Sequence, residues 1–308
     1  MTLLLAGSIE LPRHESSGGF DHAAVHAGLG RLYVAHTANS ALDVVDCRAR
    51  RHLHSIPGLT DVAGALVSEE QNLVFTSNRG ANTVAILAPA TGDFLGEVPV
   101  GVGPNGLAYD PTRRLLLAAN VGHPAIPGSR TVSMVDVGTK TLLGHVPVPG
   151  RTRWAIFDPA TEVFYVNIAE PPAIVVIEAS VPDHVHRTYP IPAKGPHGLD
   201  LDGRSHRLFC ACDSKVLVTL DAGTGTILNQ TALSGVPDVV FFNAALRHLY
   251  VAVGDPGVIE VWDTERLCRL EIVPTEKGAH TIGFDPTRNT VYAFLPESHR
   301  AEIYRDDG

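Results

Sequence analysis

The sequence predicts an all-β fold of seven like units closed into a ring, on three observations. A repeat of about 42 residues runs through the chain. Each copy holds four short β-type runs. The last copy lacks its fourth run, and the N-terminus supplies a run of that kind. Four antiparallel strands per copy at this period is the blade pattern of a β-propeller. The expectation is therefore an all-β, seven-bladed β-propeller, a single domain over residues 1–308, with its last blade closed by the N-terminal strand.

The repeat rests on two recurring strands. One enters from a Gly/Pro loop, as in GPNGLAYDPTRR, RTRWAIFDPATE, GPHGLDLDGRSH, VPDVVFFNAALR and GAHTIGFDPTRN. The other follows at once, as in RLYVAHT, NLVFTSN, LLLAANV, VFYVNIA, LFCACDS, LYVAVGD and VYAFLPE. Indexed by the start of the first strand, the copies begin at Asp21, Ala63, Asn105, Arg153, His197, Asp238 and His280, with spacings of 42, 42, 48, 44, 41 and 42. The four runs of the second copy are GALV, NLVFTS, TVAILAP and FLGEVPV. Those of the fifth are GLDLD, RLFCACD, KVLVTLDA and ILNQTAL. Val, Ile, Leu, Phe and Tyr dominate them, and turn residues separate them at short intervals. Asp110-Pro111-Thr112-Arg113, Asp202-Gly203 and Asp285-Pro286-Thr287-Arg288 suit tight hairpins. In the last copy HTIGFD, TVYAFLP and AEIYRDD stand alone. GSIELP near the N-terminus matches the missing outer strand, seen elsewhere as GEVPVG, GHVPVP and RTYPIP. Closure removes the exposed strand edges that an open seam would leave.

Bulk properties narrow the function classes. Net charge is −9 and no basic block stands out, so nucleic acid is not an expected partner. The opening MTLLLAGSIELPRHESS lacks a basic leader region and flows into a strand, so it is expected to be mature sequence. No stretch approaches a membrane span, and a cytoplasmic location is expected. Cys47, Cys210, Cys212 and Cys268 lack zinc-ligand spacing and are expected as small buried thiols. No glycine-rich phosphate loop, nucleophile elbow or H-E-x-x-H occurs.

RLYVAHTANSALDVVD and LVFTSNRGANTVAILAPATG resemble the YVTN-type repeat, and GPNGLAYDPTRRLLLAAN resembles its preceding half. The resemblance covers essentially the whole chain and is strongest in the first three copies. It implies a seven-bladed propeller. It does not imply one activity, because such propellers serve as binding scaffolds and surface proteins and, in related folds, as hydrolases or lyases.

In a propeller the inner strands line a central channel. The loops entering them share one face, the top, with the loops between second and third strands. The first set of candidates is therefore the ring of strand starts, with His22 beside Asp21. His197, Asp238, His280 and Asp21 form an arc across copies 5, 6, 7 and 1, opposite Asn105 and Arg153. The second set lies in the upper loops and includes His36, Asn78, Asn120, His123, Arg130, Asn167, Glu170, Asp255, Glu297 and His299. The loop VGHPAIPGSRT of the third copy accounts for the 48-residue spacing and is a candidate lid or specificity loop.

Imidazole with carboxylate suits one divalent ion, Zn, Mn or Fe, and a more oxygen-rich set suits Ca. Asp21, His197, Asp238 and His280 are the candidate ligands, and an open position would activate water as a nucleophile. Without a metal, His197 or His280 could act as a general base oriented by Asp238, with Arg153 holding a substrate carboxylate. Asn105, His22, His36, Asn120 and Glu170 are the candidate ligand-binding residues. Three readings of the arc stay open: a metal or catalytic centre, a solvated channel lining, and a non-metal ligand site. Asn105 and His197 also fit a turn role in P-N-G and P-H-G, and Asn120 and Asn167 fit a structural one. Trp154 is expected to pack in the core or wall the pocket, and Trp262 to pack between blades. His26, His145, His184, His186, His206 and His248 are expected at the surface. The function expected is a non-catalytic scaffold binding a small molecule or a partner protein at the top of the channel. The alternative is a metal-assisted hydrolase or lyase of the lactonase-like propeller type.

Overall fold

A computed structural model describes residues 2–308. It contains seven four-stranded antiparallel sheets arranged as the blades of a propeller. The inner strands are Ala23–His26, Val62–Ser68, Pro104–Asp110, Thr152–Asp158, Pro196–Asp202, Val236–Asn243 and Ile282–Asp285. The N-terminal strand Leu3–Glu10 pairs antiparallel with Arg300–Asp306, from Leu3 opposite Asp306 to Glu10 opposite Arg300, and so completes blade 7. Among the described residues one short 3-10 turn, Thr37–Asn39, is the only helical element, and no helix is long and apolar enough to cross a membrane.

The core is divided into seven apolar clusters, each drawn from two neighbouring blades. This explains the sequence of the second strands. LLLAAN and VFYVNI are buried at every position, because each sheet is covered on both faces by its neighbours. The predicted tight turns close on their aspartates. Asp110 Oδ1 accepts the amides of Thr112 and Arg113 at 2.9 and 3.2 Å, and Asp285 Oδ1 accepts that of Thr287 at 2.9 Å. Arg114 and Asn289 then take φ of 54° and 48° to turn the hairpin.

Outer strands carry a device the repeat did not reveal. In six of the seven blades the outermost strand bulges against its neighbour, leaving Ala6, Leu53, Leu95, Leu143, Leu228 or Leu270 outside the ladder. A bulge twists a free edge and disrupts the row of amides that another chain could pair with.

Two histidines expected at the surface are buried. His26 Nε2 lies 3.2 Å from Asn72 Oδ1, and His248 Nδ1 donates to Asp306 Oδ2 at 2.8 Å. Tyr250 also donates to Asp306, at 2.7 Å, so blade 6 is tied to blade 7 near the lower face. Neighbouring blades interlock there, and strand ends that are exposed in one sheet alone are covered in the ring. Cys47, Cys210 and Cys212 are buried as expected, whereas Cys268 is exposed.

Candidate functional site at the channel mouth

Five of the seven ring residues owe their positions to a second set of bulges, while Asp21 and His280 lie just ahead of their paired strands. The pairing of inner with second strand is interrupted at Ala63, at Asn105–Gly106, at Arg153–Trp154, at His197 and at Asp238–Val239. A bulge re-aims the side chain at its residue, and here it does so at the mouth of the channel. The glycines of P-N-G and P-H-G serve this crowding more than a turn. A Cβ on Gly64 would stand 2.5 Å from the carbonyl oxygen of Asn105, and one on Gly106 2.5 Å from that of Arg153. Gly198 faces the carbonyl of Asp238 in the same way. Side chains of the second strands secure these entries. Ser77 Oγ donates to Asn105 O at 2.6 Å, and Asn167 Nδ2 to His197 O at 2.9 Å.

His197 is the hub of the mouth. Its Nδ1 donates to Asp213 Oδ1 at 2.7 Å. Its Nε2 lies 3.2 Å from Arg153 Nη1 and 3.1 Å from Asp238 Oδ1. Neutral, Nε2 accepts from Arg153; protonated, it donates to Asp238. Arg153 also reaches Asp213 at 3.4 Å. Burial works to raise the Asp213 carboxyl, but the bond from His197 and the charges of His197, Arg153 and Arg151 hold it below the usual range. Asp21 is held by Arg79 at 3.2 Å and faces His22 Nε2 at 3.4 Å. His22 packs against Trp154 with ring centroids 4.1 Å apart and the rings tilted by 46°. Burial lowers its pKa, against the pull of Asp21 and Asp238. Trp154 thus walls the channel.

Three members of the predicted arc, His197, Asp238 and His280, are brought together as a chain of ion pairs, while Asp21 pairs instead with Arg79 and His22. His280 Nε2 is 3.9 Å from Asp238, and its Nδ1 donates to Gly278 O at 2.8 Å. A divalent ion does not fit these four side chains as they stand. Both nitrogens of His197 face carboxylates, Arg153 brings a positive charge to the site, and Asp21 is occupied by Arg79. Among the described residues no three His, Cys, Asp or Glu side chains are grouped as ligands for an ion. His36 and Asn120 are fully enclosed. His36 Nδ1 donates to Asp43 at 2.8 Å, and Asn120 Nδ2 donates to Thr131 and Ser133, both at 2.9 Å, so neither reaches the mouth as a ligand group. Asn105 is buried at the strand entry, with Oδ1 unpartnered.

Beside His197 opens a hollow of about 800 Å³ over blades 3 to 5. The long loop of blade 3 supplies one wall through Val121, Gly122, Pro124 and Arg130. Arg151, Arg153, Lys194, Glu170 and Asp213 complete its charged lining. The cationic pairs nearby are Arg79 with Asp21 and Arg153 with Asp213; among the described residues Arg130, Arg151 and Lys194 have no carboxylate partner. Burial, then the charges of Arg153 and Arg79, lower the pKa of Arg151. Sequence reasoning found Arg153, Arg130 and Glu170 but missed Asp213, Arg79, Arg151 and Lys194. A signal existed for two of them. Arg79 and Asp213 occupy the same repeat position, immediately after the second strand.

No family model matches the chain, and no curated protein sequence matches it. Among solved structures it is similar to Kuenenia stuttgartiensis hydrazine synthase, with a TM-score of 0.82 at 13% identity, over 96% of this chain and 97% of that one. At this identity the likeness is one of fold.

Proposed function

We propose that this propeller is a YVTN-type, non-catalytic scaffold that binds a small anionic molecule at its top face, in the hollow beside the channel mouth. One observation carries the reading. Three cationic side chains without carboxylate partners, Arg130, Arg151 and Lys194, converge with Arg153 on one concave site in a chain of net charge −9. Clustered like charges repel one another, and the charges of Arg153 and Arg79 add to burial in lowering the pKa of Arg151. A bound carboxylate or phosphate relieves that repulsion and accepts charge-assisted hydrogen bonds. A cytoplasmic location accompanies this reading, supported by four free thiols.

Calorimetric titration with citrate and with inorganic phosphate tests it. Binding is expected to weaken with added salt, and Arg151→Ala to lower affinity about tenfold or more, the loss of a charge-assisted bond of roughly 1.5–3 kcal/mol. Equal affinity in an Arg130→Ala/Arg151→Ala double variant sinks the proposal.

The Asp213–His197 pair favours a second reading, a hydrolase or lyase. Asp213 orients the imidazole through Nδ1, and Nε2 faces the mouth next to Arg153. This is the arrangement of a general base beside a group that holds a substrate carboxylate. Turnover of lactone substrates that survives His197→Ala excludes this role.

A further inference from the structure

Below the contact between His22 and Trp154 the channel continues as a separate space of about 590 Å³, a size suited to a small ligand. It is lined by the middle and lower parts of the inner strands. Trp154, Phe157, Phe241 and Phe284 give it an aromatic wall, with Trp154 edge-on to Phe241 at 6.3 Å and Phe241 6.3 Å from Phe284. Its ionised lining is acidic, and His22, the one basic group on it, is pushed toward its neutral form by burial. Asp200, Glu69 and Glu70 contribute carboxylates, and neither lysine nor arginine lines the cavity. This is the reverse of the top-face hollow.

Asp200 is the informative member. Its carboxylate accepts the amides of Phe242 at 2.6 Å and Leu201 at 2.8 Å, and among the described residues it has no cationic partner. Burial raises its pKa to about 6 despite those two bonds. An anionic ligand would be repelled from this cavity. A neutral ligand would bury apolar surface but leave Asp200 uncompensated. A cation with an apolar body satisfies both parts of the wall, placing its charge by the carboxylate and against ring faces.

We propose that the lower channel is a second binding site, selective for a hydrophobic organic cation such as an alkyl- or arylammonium, with Asp200 as counter-ion and Trp154, Phe241 and Phe284 as the aromatic wall. The site stands apart from the top-face hollow and does not depend on it.

The test uses the full chain carrying Trp262→Phe, which leaves Trp154 as the only tryptophan. Benzyltrimethylammonium, whose charge does not vary with pH, is titrated against Trp154 emission, with 2-phenylethanol as the neutral comparison. The expected result is a saturable response to the cation and about tenfold weaker binding of the alcohol. Affinity for the cation is expected to fall about tenfold between roughly pH 7.5 and pH 4.5, as Asp200 takes up its proton. Asp200→Asn is expected to weaken cation binding to a similar degree and to flatten the pH dependence. Equal affinity for cation and alcohol, a pH-independent affinity in the Asp200 protein, or no saturable response each overturns the proposal. The first two comparisons need no Asp200 variant, so a folding defect in it cannot rescue the idea. Arg130→Ala/Arg151→Ala is expected to keep cation binding while losing phosphate, which separates failure here from failure at the top face.

Discussion

At His197 and at Asp200 the same physics gives opposite outcomes. His197 sits among Asp213, Asp238 and Arg153, so charged partners surround it. Asp200 sits in an apolar channel with only two backbone donors. Its pKa of about 6 in the folded protein lies above the ordinary 3.8, so the folded state holds a proton that the unfolded chain releases between those values. The group's contribution to stability is therefore greatest at low pH and is lost as pH rises through about 6. Asp200→Asn is expected to raise the unfolding free energy at about pH 7.5 by on the order of 1–2 kcal/mol, and to change it little at about pH 4. Chemical denaturation at the two pH values checks this; a gain of equal size at both removes the carboxylate as its cause. Nothing local in GLDLD marks Asp200 as facing a cavity. It alternates within its strand like any exposed residue, and only the closed ring makes its side of the strand a cavity.

Inner strands depend on glycine for a reason that belongs to the element and not to the residue. Gly106 lies where the entries of blades 3 and 4 pass within van der Waals contact, and a Cβ there meets backbone, which cannot rotate aside. Gly106→Ala is expected to cost about 1–3 kcal/mol through overpacking, and to disturb the Arg153 entry it touches. Thermal melting together with phosphate titration checks both parts; an unchanged melting temperature refutes the close approach. The P-N-G and P-H-G entries were visible as sequence signals, but their reason was not. A glycine in a loop motif looks like a turn residue until the neighbouring blade is in place. The outer-strand bulges were hidden for a related reason. Leu95 and Leu143 stand in β-type runs, and their exclusion from the ladder follows from strand pairing alone.

For the whole molecule the seam is the weak point. Leu3–Glu10 contributes Leu3 and Ile9 to the apolar clusters on the two sides of blade 7 and covers the edge of Arg300–Asp306. Removing residues 1–10 is expected to destabilise the ring by about 5 kcal/mol or more and to promote association through the bared edge. A synthetic peptide of the same residues, added in trans, restores the melting transition. A truncated chain as stable as the full one, and no more prone to associate, contradicts the closure.

The sequence alone determined the blade count, the four strands of each blade and the closing role of GSIELP, because strand alternation and turn chemistry are local and repeat with the period. It also pointed to His197, Asp238 and His280, which do pair across their blades, since equivalent positions in a ring lie near its axis. Only the tertiary structure decided what those residues do to one another. Arg79, Arg151 and Asp213 come from loops whose contacts cross between blades, and they turned a presumed ligand set into an ion-pair chain. His36 and Asn120 were drawn from the right face but are sealed by the packing around them. A repeat specifies where each side chain starts. Charge pairing and burial depend on which blades stand beside it, and that is settled when the ring closes.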